Sequence, residues 1–189
     1  MKVRDSGMPD EEMWSGFFDS DKILRTFGLD QEINDIVEFG CGYGTFTLTA
    51  AQLIRGTVNA FDIEPDMVAA TTEKCSQVGI KNIQATVRDV VAQGTGLPQG
   101  SMDVALLFNI LHHEEPVLLM KEAYRVLSMK GYLAIIHWNY DSTTPRGPAM
   151  EIRPRPELCI EWGRKAGFSF NERERFDFPP YHYGLLLRK

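Results

Sequence analysis

The sequence predicts one doubly wound α/β domain built on a seven-stranded sheet. Three observations carry this reading. Short apolar β-type runs alternate with helix-like stretches through residues 33–137, the pattern of a parallel sheet covered by helices on both faces. A glycine-rich turn, Gly40-Cys41-Gly42-Tyr43-Gly44, separates the first strand from the helix after it. The last two strands are joined too briefly for a crossover helix, so they pair antiparallel.

Each element has its own signal. Ile33 to Phe39 reads as a strand, and Thr45 to Ile54 as a helix behind the glycine turn. Thr57 to Phe61 is a second strand. Asp62-Ile63-Glu64-Pro65-Asp66 opens the next helix: proline suits its first turn, acids suit its positive N-terminus, and Gly79 closes it. Ile83 to Val87 is a third strand. Met102 to Phe108 is a fourth, almost wholly apolar, as a strand buried on both faces requires. A helix over Pro116 to Leu127 leads through Gly131 to a fifth strand, Tyr132 to His137. A Pro-, Thr- and Gly-rich loop then runs from Trp138 to Pro154. Pro156 to Ala166 forms a helix closed by Gly167, and strands Ser169 to Phe176 and His182 to Leu187 flank the Pro179-Pro180 turn. Before the first strand, Trp14, Phe17, Phe18, Ile23, Leu24 and Phe27 stand at helical spacing. That stretch reads either as a helix on the sheet edge or as a lid, residues 1–30, over a ligand crevice.

Composition narrows the function classes. The 189 residues, 43% apolar and 24% charged, exclude a collagen, a coiled coil and wholesale disorder. The net charge of −6 disfavours unspecific nucleic-acid binding, which needs a positive field. Charge is uneven: residues 1–150 carry 12 basic and 20 acidic side chains, and residues 151–189 carry 8 and 6. Cys41, Cys75 and Cys159 make neither a disulfide framework nor a zinc motif, and they fit a reducing cytoplasm. The first residues lack the apolar core of a signal peptide, and no apolar run is long enough to span a bilayer. The expectation is a cytoplasmic protein.

The glycine turn points to a ligand. In open α/β sheets ligands bind at the carboxyl ends of the strands, where the strand order switches. Glycines there let the backbone approach the ligand, and the following helix offers free N–H groups. A dinucleotide fingerprint requires glycine at position 45, which is Thr45, so a nicotinamide cofactor is disfavoured. Asp62 ends the second strand and Asp89 follows the third. A carboxylate in such a place can accept from two vicinal hydroxyls or from an amino group.

These residues, in this order, resemble the class I S-adenosylmethionine-dependent methyltransferases, in the type 11 group that includes quinone-biosynthesis enzymes. The resemblance implies a Rossmann-like sheet of order 3-2-1-4-5-7-6 with strand 7 antiparallel, and S-adenosylmethionine as cofactor. It implies that Glu38, Gly40, Cys41, Gly42 and Gly44 hold the methionine end. It further implies Asp62 with Ile63 at the ribose, Asp89 with Val90 at the adenine amino group, and Met67 packed near the adenine. Gly96 to Asp103 and Leu127 to Tyr132 resemble the family's turns into strands four and five, with Lys130-Gly131-Tyr132 replacing the usual Pro-Gly-Gly.

Chemistry is expected at the ends of strands four and five. Asn109 can orient cofactor or acceptor, and His112, His113 or His137 can take a proton from an acceptor that arrives protonated. Each histidine also reads as crevice wall. Trp14, Trp138 and Tyr140 are candidates for the acceptor wall. Arg146, Arg153 and Arg155 are candidates for an anion clamp, with a solvated loop as the plainer reading. His112-His113-Glu114 in direct succession cannot converge on one ion, so no metal is expected. The sequence therefore predicts methyl transfer from S-adenosylmethionine to a small molecule, an anionic one if the clamp exists, within one domain: lid 1–30, cofactor core 33–137 and acceptor segment 138–189. The rival readings are a protein or nucleic-acid methyltransferase, disfavoured by Asn109-Ile110-Leu111-His112 where an Asn/Asp-Pro-Pro-aromatic motif would stand, and a non-catalytic cofactor-binding regulator.

Overall fold

The computed structural model describes residues 9–189. Its sheet has seven strands: β1 (Ile36–Phe39), β2 (Val58–Asp62), β3 (Ile83–Val87), β4 (Met102–Phe108), β5 (Leu127–Trp138), β6 (Ser169–Phe178) and β7 (His182–Arg188). They lie in the order β3-β2-β1-β4-β5-β7-β6. The first five run parallel, and β7 is antiparallel to both β5 and β6. The helices are α1 (Glu11–Ser15), α2 (Ser20–Thr26), α3 (Thr45–Leu53), α4 (Pro65–Gln77), α5 (Val90–Gln93), α6 (Pro116–Val126) and α7 (Pro156–Ala166). Among the described residues, no helix is long and apolar enough to cross a membrane.

Strand alternation makes two cores. Ile36, Val58, Ala60, Val104, Leu106 and Phe108 pack with Ile23 and Leu24 of α2, with Phe27 just after it and with α3. Val37, Phe39, Ala105, Leu107, Leu133 and Ile135 face the other way, onto α6 and α7. Both faces of β1 and β4 are therefore covered, which is why these strands are mostly apolar, with Glu38 and Asp103 as the exceptions.

Several boundaries differ from the sequence reading. Residues 1–8 of the expected 1–30 lid lie outside the described residues; from residue 9 onward the stretch forms two short helices. Asp10 caps the first by accepting from the Met13 N–H, and Asp19 caps the second by accepting from Lys22. β1 begins at Ile36, because Asn34 and Asp35 are spent on side-chain bonds to Asp103 and Thr57. β5 begins at Leu127, directly after α6, where Leu127 pairs with Met102 and a register shift absorbs Ser128–Gly131. The Lys189 ammonium donates to the Tyr124 and Leu127 carbonyls at 2.7 and 2.6 Å, closing the C-terminal end of α6. The single turn of α5, capped by Asp89, had no counterpart in the sequence reading.

Candidate active site

A cavity of about 400 Å³ opens at the carboxyl ends of the strands, where β1 and β4 diverge into connections on opposite faces. The glycine loop forms its floor. The N–H groups of Gly40 and Cys41 both donate to the Phe61 carbonyl, at 2.7 and 3.0 Å, which ties the loop to β2. Gly44 has φ 80° and starts α3; a Cβ there would stand 2.7 Å from Leu48 Cδ1 and 2.9 Å from Thr71 Oγ1. Gly44 therefore supports the loop from behind and does not line the cavity. Thr71 Oγ1 donates to the Gly42 carbonyl at 2.9 Å, and Lys74 Nζ to the Tyr43 carbonyl at 2.7 Å.

Carboxyl groups stand at three neighbouring strand ends. Glu38, on β1, is 2% exposed and accepts from Thr47 Oγ1 at 2.5 Å. Burial pushes its pKa up to about 8, with the nearby Asp62 charge adding to the shift. Asp62, at the end of β2, accepts from the Gly42 N–H at 2.9 Å through Oδ2 and from the Glu64 N–H at 3.0 Å through Oδ1. Burial raises its pKa too, against the pull of those two N–H groups. Asp62 thus clamps the glycine loop to the β2 end and does not cap α4, whose N-cap is Glu64. Asp89 Oδ1 accepts from the Ala92 N–H at 3.0 Å as the cap of α5. Ile63, Met67 and Val90 line the same end, and Cys41 is a buried thiol whose ionisation burial suppresses.

The β4 end supplies Asn109, with φ 57°, an uncommon conformation outside glycine. It is 8% exposed and lines the cavity, yet neither its Oδ1 nor its Nδ2 has a hydrogen-bond partner. A strained backbone carrying an unpaired buried amide fits a ligand-binding group. His112 and His113 also line the cavity. His113 Nδ1 accepts from the Glu115 N–H at 3.0 Å, so in the neutral ring Nε2 carries the proton and donates. Burial, then His113 and Arg153, hold the His112 pKa down to about 4, and its Nδ1 is unpaired.

Other expected residues separate. His137 is fully buried and does not line the cavity: its ring lies behind the wall, its centroid 5.6 Å from that of His112 and 6.3 Å from that of Tyr183. Trp138, one residue on, faces the cavity and packs edge-on against Phe17 at 5.2 Å. Trp14 of α1 lines the cavity from above. That helix is held over the glycine loop by the Glu11–Lys74 ion pair and by the Tyr43 hydroxyl, which donates to the Pro9 carbonyl at 3.1 Å. Of the three loop arginines, only Arg146 lines the cavity. The Arg155 guanidinium stacks on the Tyr140 ring at 3.6 Å, and both lie outside it. Arg153 is 7% exposed and spends its guanidinium on the loop itself, bonding the carbonyls of Asn139, Asp141, Arg146 and Pro148 and the Thr144 hydroxyl. A three-arginine clamp is therefore replaced by one cavity arginine and one loop organiser.

Sequence reasoning missed Thr45, Arg88, Ile110, Gly147, Pro148 and Ile152, all on the cavity wall. Arg88, beside Asp89, was within reach of the motif. The loop residues carry no motif and reach the wall because Arg153 folds them inward.

The family model described as a methyltransferase domain matches residues 37–135. The chain belongs to this methyltransferase family. No curated protein sequence matches it. Among solved structures, an S-adenosylmethionine-dependent methyltransferase from Aquifex aeolicus superposes with a TM-score of 0.82 at 24% identity, over 94% of this chain and 93% of that one. A type 11 methyltransferase from Sulfolobus solfataricus gives 0.65 at 24% identity, over 82% and 83%. A phosphoethanolamine N-methyltransferase of Haemonchus contortus, solved with S-adenosyl-L-methionine, gives 0.66 at 20% identity, over 79% of this chain and 36% of its own. At these identities the likeness speaks to the fold.

The cofactor of this methyltransferase is S-adenosylmethionine, and the polar groups that line the cavity fit it. Half-buried carboxyl groups stand at successive strand ends for hydroxyl and amino donors, and the unpaired Asn109 amide faces the same space.

Proposed function

We propose that this methyltransferase methylates a small molecule bound over the ends of β4 and β5. The observation that carries the reading is the roof. Trp14 from α1 and the segment around Arg146–Ile152 cover that half of the cavity, and about 400 Å³ is the scale of a small-ligand site. A cover of this kind supports a small acceptor over a folded protein surface or a duplex. The three cysteines are free thiols, which supports a cytoplasmic setting.

Bound S-adenosylmethionine supplies an electrophilic methyl group on a positively charged sulfur. In this reading the glycine loop with Glu38 holds the methionine end, Asp62 accepts from the ribose hydroxyls, and Asp89 accepts from the adenine amino group. Ile63, Met67 and Val90 pack the adenosine. Asn109 and His113 orient the acceptor, Trp14 and Trp138 exclude water, and positioning in a dry site supplies most of the rate. His112, neutral above about pH 4, can accept a hydrogen bond from an acceptor but is a weak base.

The test incubates the enzyme with labelled S-adenosylmethionine and a metabolite extract, beside protein and nucleic-acid fractions. Label in a small molecule is expected, with S-adenosylhomocysteine binding and no NAD binding by calorimetry. Label confined to protein or nucleic acid refutes the reading.

A further inference from the structure

The two halves of the cavity carry opposite chemistry. The carboxyl groups among its described lining residues, Glu38, Asp62, Glu64 and Asp89, stand at or beside the ends of β1, β2 and β3. The half over β4 and β5 has none. Its polar lining is Asn109, His112, His113 and Arg146, set among apolar walls such as Trp14, Ile110, Trp138 and Ile152. His113 is fixed as a donor by the Glu115 N–H on its other nitrogen. Behind this wall lies the Arg153 guanidinium, which helps keep His112 and His182 unprotonated. The acceptor half therefore sets the Arg146 charge and the donors of His113 and the Asn109 amide inside an apolar shell, beside the neutral His112 ring, with no carboxyl group among its described lining residues.

We infer that the acceptor is an acidic O–H or S–H compound on an apolar frame, a phenol, enol or thiol, that reacts as its anion and is not an amine. The inference rests on the small-molecule reading above. A pocket that offers these donors and a guanidinium, with no carboxyl group among its described lining residues, favours the ionised form of such a group. The proton leaves to solvent as the acceptor binds. The acceptor's lone pair then forms the new bond to the methyl carbon while the carbon–sulfur bond breaks and its electron pair stays on sulfur. One negative and one positive charge thus become two neutral products. An amine fares worse on both counts. The donors occupy the lone pair it needs for attack, and nitrogen gains positive charge as the bond forms, in a half lined by Arg146 and, among the described residues, by no carboxylate to offset that charge.

Two measurements test this. In the labelled-extract assay, the methylated atom of the product is assigned by mass spectrometry and NMR. Methyl on oxygen, sulfur or an enol carbon supports the inference. An N-methyl product overturns it and leaves the small-molecule reading standing, whereas label found only in macromolecules overturns that reading itself. The second measurement is independent of turnover: 4-nitrophenol, whose absorbance reports its ionisation, is titrated with pH in the presence of the enzyme saturated with S-adenosylhomocysteine. The expected result is a bound phenol at least tenfold more acidic than in buffer, with part of that shift lost in Arg146→Gln and in His113→Gln. A bound phenol that is no more acidic than in buffer overturns the inference.

Discussion

Replacing Arg153 by methionine keeps the length of the side chain and removes its charge and donors. The guanidinium makes six hydrogen bonds to five loop acceptors, at 2.7 to 3.3 Å. Two of those acceptors, on Asp141 and Arg146, belong to exposed residues, and water can take over there. The other three, on Asn139, Thr144 and Pro148, belong to partly buried residues. At about 1 kcal/mol net for each, the loss is about 3 kcal/mol. For a chain of this size that lowers Tm by roughly 6–12 °C. Gly147 marks how tightly the knot is drawn: its φ is 120°, and a Cβ there would stand 2.6 Å from an Arg153 guanidinium nitrogen. Arg153→Lys should fall between parent and methionine, since one ammonium cannot span five acceptors. Removing the charge also relieves one cause that holds His112 and His182 down, so both should titrate higher by NMR. S-adenosylhomocysteine affinity should stay within about threefold, because the β1–β3 half of the cavity is untouched. Calorimetric melting and ligand titration check all of this. A methionine variant that melts within about 2 °C of the parent refutes the account of Arg153 as the organiser of this loop.

Asp62→Asn turns an NH₂ group against the N–H of Gly42 or Glu64; it should cost about 1–3 kcal/mol of stability and weaken S-adenosylhomocysteine at least tenfold, and parental values of both Tm and Kd would contradict this. Stability should peak near pH 6.5. Unfolded histidine takes its proton near 6.5, but folded His112 does so near 4 and His182 near 3, so stability falls as pH drops from about 6.5 toward 4, by roughly 1.4 kcal/mol per pH unit for each histidine. Glu38 acts oppositely: the folded chain keeps its proton to about pH 8 and the unfolded chain releases it near 4.5, so stability declines as pH rises through that window, and above 6.5 this decline is unopposed. Denaturant unfolding across pH 4–9 checks the curve, and a monotonic rise to pH 8 would sink it. Binding of S-adenosylmethionine, a cation at its sulfur, should drive Glu38 to ionise and release close to one proton at pH 7; calorimetry in two buffers of different ionisation heat reads this, and Glu38→Gln should abolish the buffer dependence.

Much of the cofactor half was legible because its signals are local. Glycines at 40, 42 and 44 follow a strand and precede a helix, Asp62 ends the second strand and Asp89 follows the third; position at the carboxyl ends follows from chain order once the alternation is read. Apolar runs gave β4 and β5, and the brief turn at Pro179-Pro180 gave the antiparallel β6–β7 pair. What stayed hidden depends on contacts between distant residues. The loop after β5 has no periodicity, and one buried guanidinium decides which of its residues face the cavity. Arg153 and Arg155 are two positions apart and look alike in sequence, yet one organises the loop and the other stacks on Tyr140 outside the site. His137 and Trp138 are neighbours, and only pairing with β7 fixes which of the two lines the cavity. Asn109 could be named from its place after β4, but its positive φ and its unpaired buried amide are visible only in the folded chain, where its N–H donates to the Ile136 carbonyl of β5. Local sequence determines elements and turn chemistry through backbone sterics and burial; which side chain enters a shared space is set by packing partners far away along the chain, and only the tertiary structure supplies them.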